Sequence, residues 1–342
     1  MPGCERRRDG SWMMDAGYGQ DVPDTARIGG RLLDEVARRI AMRGLLFCWS
    51  ILLLLLLAGQ DALYSEEIVL YERNSVYHYI RVTEDTSSRT RYLGFDKMRG
   101  SQSKMYIDKP YSLAFEYTRM SMVSLCFSEN ITDILVVGLG GASIPKFIHR
   151  CFPEINIDVV EIDPYIVEVS KEYFGFSETP KMKVHVDDGR VFIRRSSKLY
   201  DVIILDAYNE HAIPFHMTTQ EFLREVKSKL KPNGLVASNI WSPSSNRFHD
   251  SEILTYQSVF PQLYLFGGLR SGNHIFIATK DAEVISKEDL LRRAEEMTKC
   301  PEFDFSLSSI IEEQYEYATG KAVKGKILTD DYSPADLLRL KE

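Results

Sequence analysis

The sequence predicts an α/β protein: a Rossmann-like, mostly parallel sheet preceded by a small antiparallel β domain. Three observations carry this. From Asp133 onward, short runs rich in Val and Ile alternate with segments of helical periodicity. The first of these runs ends in a glycine loop, Gly138-Leu139-Gly140-Gly141. The next three runs each end on acidic residues, at Glu161, at Asp187-Asp188 and at Asp206.

The N-terminus stands apart. Gly44–Gly59 is a 16-residue apolar run, preceded by Arg38, Arg39 and Arg43 and followed by polar and small residues. This order predicts a secretory signal peptide, or a membrane anchor through 44–59. The run is shorter than the roughly 20 residues that span a bilayer comfortably, which favours the signal peptide. Basic residues before the run and Asp61, Glu66 and Glu67 after it place the body outside the cytoplasm, periplasmic or extracellular, or anchored at the membrane. A cytoplasmic body is the alternative. A start at Met42 would leave residues 1–41 as an upstream extension that the cell does not make.

Ile68–Val82 alternates and is rich in β-branched and aromatic residues, which predicts two strands turning at Asn74-Ser75. Arg91–Phe95 and Lys104–Ile107 continue the pattern, and Tyr111–Phe127 has the spacing of a connecting helix. In the main domain, strands are expected at 133–138, 156–162, 183–186, 201–205 and 235–240. Helices are expected at 142–151, 164–174, 190–195 and 219–230. Gln262–Phe266 and His274–Thr279 predict two last strands, and Ser286–Met297 an amphipathic helix. The expected boundaries are an extension (1–43), a signal peptide or anchor (44–65), the β domain with its helix (66–125), the Rossmann-like domain (126–300) and a C-terminal tail (301–342).

Composition excludes several classes. The formal net charge is −7 and no long Lys/Arg run occurs, so nucleic acid is not an expected partner. The five cysteines lack CxxC spacing, so no zinc site or disulfide framework is indicated. Small buried residues are the favoured reading for them, with a Cys126–Cys151 pair as the alternative in an oxidising compartment.

The chemistry lies at the strand ends. Glycines at Gly138 and Gly140 let a backbone approach a ligand and aim a helix N-terminus at it. An acid about 20 residues on can accept both ribose hydroxyls. Asp163, before Pro164, has the place of a helix cap, which leaves Glu161 for the ribose. A carboxylate at Asp187-Asp188 can accept the exocyclic amine of adenine, and Asp206 faces the reacting end. Without a phosphate-binding Lys-Ser/Thr, and with so many acids, the loop suits a cationic, phosphate-free adenosyl ligand better than a nucleotide phosphate.

Over about Ile68–Lys280 the chain resembles the spermidine/spermine synthase family, the polyamine aminopropyltransferases. Tyr77-His78 stands where that family has Tyr-Gln, and Gln102 follows a turn containing Asp96, as the family's glutamine does. The Gly138 loop resembles its GGGDG, and residues 160–163, 187–190 and 205–209 resemble its VEID, GDGR and VDSSD. Residues 217–222 resemble LFTKEFY, and Ser271-Gly272 its late PSG turn. The tail Thr329-Asp330-Asp331-Tyr332 resembles a divergent bacterial branch.

The resemblance implies a methyltransferase-type Rossmann-like sheet. It implies decarboxylated S-adenosylmethionine or S-adenosylmethionine as co-substrate, without a metal, and a small-molecule amine such as putrescine as acceptor. It implies that Gln102, Gly138, Gly140, Glu161, Asp188, Gly189 and Asp206 hold the adenosyl part. Asp206, Tyr208 and Asn209 fall at the catalytic positions, and a homodimer is the family expectation. The departures are specific. Gly141 replaces the aspartate of GGGDG that faces the amine, Asn209 replaces the second aspartate of DSSD, and Thr118-Arg119 follow Tyr117 where the family has His-Glu. An amide at Asn209 cannot accept a proton, and Arg119 would repel an ammonium. Tyr208, Glu210, His211 and His78 are the candidate substitutes. Two other readings remain: an S-adenosylmethionine-dependent methyltransferase, which needs the same adenosine contacts, and a non-catalytic exported binding protein that has lost the polyamine-side carboxylates.

Overall fold

The computed structural model describes residues 35–45, 47, 49–50, 67–95, 101–207, 214–269 and 272–331. The chain divides into two compact units, Met1–Tyr64 and Ser65–Glu342. In the first, residues 35–45 are helical, with Arg39 paired to Glu35 one turn away at 3.2 Å. The expected signal peptide or anchor lies largely outside the described residues. Among those described, no helix is long and apolar enough to cross a membrane.

The second unit opens with β1 (Glu67–Asn74), β2 (Tyr79–Asp85), β3 (Thr90–Gly94) and β4 (Ser103–Tyr106), an antiparallel sheet in that order. Ile80, Val82, Leu93 and Met105 are buried from one face of it and join the same core as the main domain. The boundary expected at 125/126 is thus not a break in packing. The connecting helix is shorter than its periodicity predicts. Residues 111–115 are irregular, α1 covers Glu116–Ser121, and a 3₁₀ turn covers Met122–Phe127.

Among the described residues the main sheet has eight strands, in the order β7 (Met182–Val186), β6 (Asn156–Glu161), β5 (Asp133–Val137), β8 (Tyr200–Leu205), β9 (Leu230–Trp241), β11 (Asn273–Thr279), β10 (Gln262–Gly267) and β12 (Tyr315–Tyr317). Strands β5, β6, β7, β8 and β9 run parallel. Strands β11 and β10 add on antiparallel. Helices α2 (Ser143–Cys151), α3 (Pro164–Tyr173), α4 (Gly189–Arg195) and α5 (Gln220–Ser228) follow β5 to β8 in turn. This is the doubly covered sheet that strand–helix alternation requires, with the ligand crevice at the carboxyl ends of the parallel strands. Two apolar cores, one on each face, include Ile134 and Val136 on one side and Leu135 and Val137 on the other. Alternation along β5 sends its side chains both ways.

Three elements were not legible in the sequence. Helix α6 (His249–Val259) connects β9 to β10; its buried residues, from His249 and Glu252 to Tyr256, mix polar with apolar types. After α7 (Lys287–Met297), helix α8 (Leu307–Gln314) and strand β12 (Tyr315–Tyr317) occupy what the sequence sets apart as a tail, and β12 pairs with β10. The cysteine pairing also differs. Cys151, at the end of α2, is bonded to Cys300, 149 residues on, and Cys126 is free and buried within the core. The fold carries Cys300 back past α7 to the end of α2, a juxtaposition that spacing along the chain does not reveal.

Candidate active site

The described residues line a cavity of about 1110 Å³ at the carboxyl ends of β5, β6 and β8. Gln102, Gly138, Gly140, Glu161, Asp188, Gly189 and Asp206 all face it. Tyr208, Asn209, Glu210 and His211 lie outside the described residues, as does Asp96.

Gly138 has φ +99°, and Gly140 has φ +49°. A Cβ on Gly140 would stand 2.8 Å from Ser103 Oγ. Gly141 explains its own departure from the family pattern. Its N–H donates to Ser103 Oγ at 2.8 Å, and a Cβ there would meet Ser103 Cβ at 2.8 Å and Phe174 at 3.0 Å. The space an aspartate would need is filled from β4 and α3's end. The loop's nearest lysine, Lys146, turns away from the cavity. Its ammonium donates to the carbonyls of Pro110 (3.1 Å) and Phe174, and burial lowers its pKa to about 8.

Glu161 is buried at 7 % exposure, with Oε2 accepting from the Leu139 N–H (2.9 Å) and Oε1 from the Asp163 N–H (3.0 Å). Each carboxylate oxygen keeps a second lone pair for a ribose hydroxyl. Burial raises its pKa. Asp163 caps α3 by accepting from the Tyr165 N–H at 3.0 Å, and also meets Ser75 and His78. His78 stacks on Phe95 with centroids 4.2 Å apart. That imidazole is therefore fixed beside the β6 end.

Asp188 caps α4. Its Oδ1 accepts from the Val191 N–H (2.9 Å), while Oδ2 lies 3.3 Å from His216 Nε2. One oxygen is thus held by the helix and the other faces a second polar group. Gly189 is packed close, since a Cβ there would meet Val137 Cγ1 at 2.5 Å.

Asp206 is the most perturbed acid of the group. Its Oδ1 accepts from Asn239 Nδ2 (2.9 Å), and Tyr117 Oη lies 3.4 Å from Oδ2. Asn239 is oriented in turn by Asn273 Nδ2, 2.9 Å from its Oδ1. Burial pushes the Asp206 carboxyl up to about 7 despite both hydrogen bonds. At neutral pH it is balanced between proton acceptor and donor, as a general base requires. Tyr117 is raised well above the usual phenol range, first by burial and then by Asp206, so it stays protonated and donates.

Sequence reasoning missed Asn239 and Asn273. Their signal was present, since each lies at the crevice end of its strand, the same placement that singled out Asp206. Arg119, expected to repel an ammonium, lines the cavity but donates to the Leu113 and Ala114 carbonyls at 2.7 and 3.0 Å. It pins the irregular segment that leads into α1.

Residues 114–262 match the spermine/spermidine synthase domain. A polyamine aminopropyltransferase of Vibrio vulnificus is 33 % identical over 284 residues, covering 80 % of this chain and 92 % of that protein. The chain belongs to the spermidine/spermine synthase family. An eEF1A lysine and N-terminal methyltransferase of Mus musculus is also 33 % identical over 236 residues, but the match covers 60 % of this chain and 34 % of that protein. In fold, the chain is similar to a probable spermidine synthase from Corynebacterium glutamicum, with a TM-score of 0.64, 22 % identity, and coverage of 77 % and 97 % of the two chains. Family membership favours neither the methyltransferase nor the non-catalytic reading. Among the described residues no group of His, Cys, Asp and Glu is arranged to hold a metal.

Proposed function

We propose that this protein transfers the aminopropyl group of decarboxylated S-adenosylmethionine to the amine of a small polyamine such as putrescine. The observation that carries the reading is the convergence of Glu161, Asp188 and Asp206 on one cavity beside the Gly138 turn. Glu161 serves the ribose, Asp188 the adenine amine, and Gln102 the adenosyl group. Asp206 attracts the sulfonium and accepts the proton that the attacking nitrogen must lose. The new bond joins that nitrogen to the carbon next to sulfur, the carbon–sulfur bond breaks, and 5′-methylthioadenosine leaves. Lys146 is turned from the loop and so offers no partner to the carboxylate of intact S-adenosylmethionine, which supports the decarboxylated form.

The test is direct. Purified protein with decarboxylated S-adenosylmethionine and putrescine should yield spermidine and 5′-methylthioadenosine in equal amounts. Absence of product with every amine tried sinks the assignment.

We further propose that the body works outside the cytoplasm. The apolar run at 44–59 and the Cys151–Cys300 bond both support this, because disulfides persist in oxidising compartments. Cell fractionation and N-terminal sequencing test export, and decide between cleavage and membrane anchoring. A homodimer is the family expectation, which sedimentation of the purified chain tests.

A further inference from the structure

The acidic tail at 329–331 has no part in the chemistry described so far, yet its contacts lead to the adenosyl cavity. Residues 318–330 lie beyond the matched family domain, which ends at 262, and they cross α6 to reach the start of α5. Gln257 Nε2 donates to the Ala318 carbonyl (2.7 Å), the Lys326 N–H to Ser251 Oγ (3.2 Å) and the Leu328 N–H to Thr255 Oγ1 (3.0 Å). Leu328 is buried, and its carbonyl accepts from the Gln220 N–H at 2.8 Å.

Asp330 then meets two turns that both line the cavity. One is the first turn of α4, where Asp188 is the cap and Gly189 and Arg190 follow. Each Asp330 oxygen accepts from a terminal nitrogen of the buried Arg190 guanidinium at 2.8 Å, the two-pronged geometry that a planar fork favours. The other is the 3₁₀ turn Phe215–Met217, which runs into Thr219, the cap of α5. Arg190 also donates to the His216 carbonyl at 2.9 Å, and Thr219 Oγ1 donates to Asp330 Oδ1 at 2.7 Å. His216 is thus fixed by Arg190 at its own carbonyl and by Asp330 three residues on. The two turns pack directly on each other, since a Cβ on Gly189 would stand 3.3 Å from Met217 Cε. Asp188, Gly189, His216 and Met217 all face the cavity.

We propose that Asp330, acting through Arg190, is a positioning residue for purine recognition: it holds Asp188 and His216 in the arrangement that tells adenine from a 6-oxo purine. This role rests on the adenosyl half of the reading above. An ionised carboxylate only accepts hydrogen bonds. Adenine offers it an amine at C6, whereas a 6-oxo purine sets a carbonyl oxygen there, acceptor against acceptor. Discrimination therefore requires a carboxylate that cannot turn away. Oδ1 of Asp188 is held by the Val191 N–H, and Oδ2 faces His216 Nε2 at 3.3 Å. The first hold depends on the place of α4 and the second on that of the 215–217 turn, and the Arg190–Asp330 pair joins both. Energetics point the same way. An ion pair with a half-exposed carboxylate adds little stability, so its two-pronged bond and its third contact at Thr219 serve geometry instead.

The experiment is calorimetric titration of the full chain with 5′-methylthioadenosine and with 5′-methylthioinosine, which differ in the group at C6 and at N1. The wild type should prefer the adenine compound by on the order of 100-fold. In Asp330→Ala and in Arg190→Lys that preference should fall to about tenfold or less, mainly through weaker binding of the adenine compound. Arg190→Lys keeps a cation facing Glu225 and Asp330 while losing the fork that also reaches His216, so it guards against a folding defect in the other variant. A merely structural role would weaken both nucleosides by the same factor and leave the ratio alone. An unchanged ratio in both variants, or a wild type without preference, overturns the positioning role. Spermidine formation is scored separately. Turnover with an unchanged ratio leaves the transferase reading standing and removes the role of Asp330. A ratio that depends on Asp330 and Arg190 without any turnover supports that role and removes the transferase reading.

Discussion

Gly138 and Asp206 lie against each other at the ends of neighbouring parallel strands. A Cβ on Gly138 would stand 2.8 Å from the Asp206 carbonyl carbon, and closer still to its oxygen. The same contact brings the Asp206 N–H to the Val137 carbonyl at 2.8 Å. The glycine loop and the proposed base are therefore one construction, and neither can move without the other.

A methyl group at Gly138 tests this. Gly138→Ala combines a left-handed φ with a backbone clash, so it should cost about 2–4 kcal/mol of stability and abolish adenosyl binding. Gly175 is the control. It has φ +67° but nothing within 4 Å of its Cβ position, so Gly175→Ala should cost only about 1 kcal/mol and spare binding. Urea unfolding and 5′-methylthioadenosine titration measure both. Equal effects from the two alanines would contradict the coupling.

Asp206 sets a pH dependence whose sign can be worked out. Its folded pKa of about 7 lies above the ordinary 3.8, so the ligand-free protein holds a proton that the unfolded chain has released. From this group, stability falls as pH rises from about 4 to about 7 and then levels. A sulfonium ligand needs the ionised carboxylate. Its affinity should therefore weaken by up to about tenfold per pH unit below 7, while neutral 5′-methylthioadenosine changes little. Asp206→Asn should flatten both dependences. A pH-independent sulfonium affinity in the wild type would show that Asp206 does not face the cation.

The parallel half of the fold was legible because its signals are local. Strands β5 and β8, five and six residues long and largely buried, carry continuous Val/Ile/Leu runs, and each ends in a turn with its own chemistry, at Val137-Gly138 and Leu205-Asp206. The part that escaped depends on packing between distant segments. Helix α6 turns polar residues such as Glu252 and His249 inward, so it shows no single apolar face. Helix α8 and β12 gain their burial only by joining a sheet edge made elsewhere in the chain. Cys300 meets Cys151 for the same reason. On the site side, the adenosyl half follows strand ends and could be named residue by residue. Arg190, His216 and Asp330 come together only through tertiary contact.

Glu252 offers a stability test away from the site. It is 4 % exposed, bonded to Asn246 Nδ2 at 2.7 Å, and burial pushes it up to about 8. The folded state thus keeps it protonated at neutral pH, and its contribution to stability declines as pH rises from about 4.5 to about 8. Glu252→Gln mimics the neutral form. The variant should match the wild type near pH 5 and exceed it in Tm by several degrees at pH 8.5. Parallel Tm curves would show that the carboxyl is ionised in the fold.

Asp330 fastens the end of the described chain to α4. Its two oxygens each take a 2.8 Å hydrogen bond from Arg190, and Thr219 Oγ1 lies 2.7 Å from Oδ1. The Arg190 guanidinium holds Asp330 down to about 2, so this contribution is present above about pH 4 and is lost as pH falls through 2. The carboxylate is half-exposed and Glu225 also pairs with Arg190. Asp330→Ala should therefore cost only about 1 kcal/mol in urea unfolding, mainly as easier proteolysis near 318–331. A loss of 3 kcal/mol or more would mean that Arg190 is left unpaired.

The Cys151–Cys300 bond joins the end of α2 to the segment that leads into α8, beside the Arg150–Glu302 pair (2.7 Å) and the Ser112–Asp304 hydrogen bond (2.6 Å). It closes a long loop, so Cys300→Ser or reduction should lower stability by about 2–4 kcal/mol. Cys126 gives no substitute thiol, because burial pushes its pKa up to about 12. The effect should be uneven. The Gly138 loop and the ends of β6 and β8 are held by the sheet, whereas α8 loses a covalent tether. Reduced protein should then keep its 5′-methylthioadenosine affinity while the segment around α8 becomes easier to proteolyse. Peptide mapping of non-reduced protein from its natural compartment decides whether the bond is present in the cell. Free thiols at both positions there would remove the tether and, with it, the structural support for export.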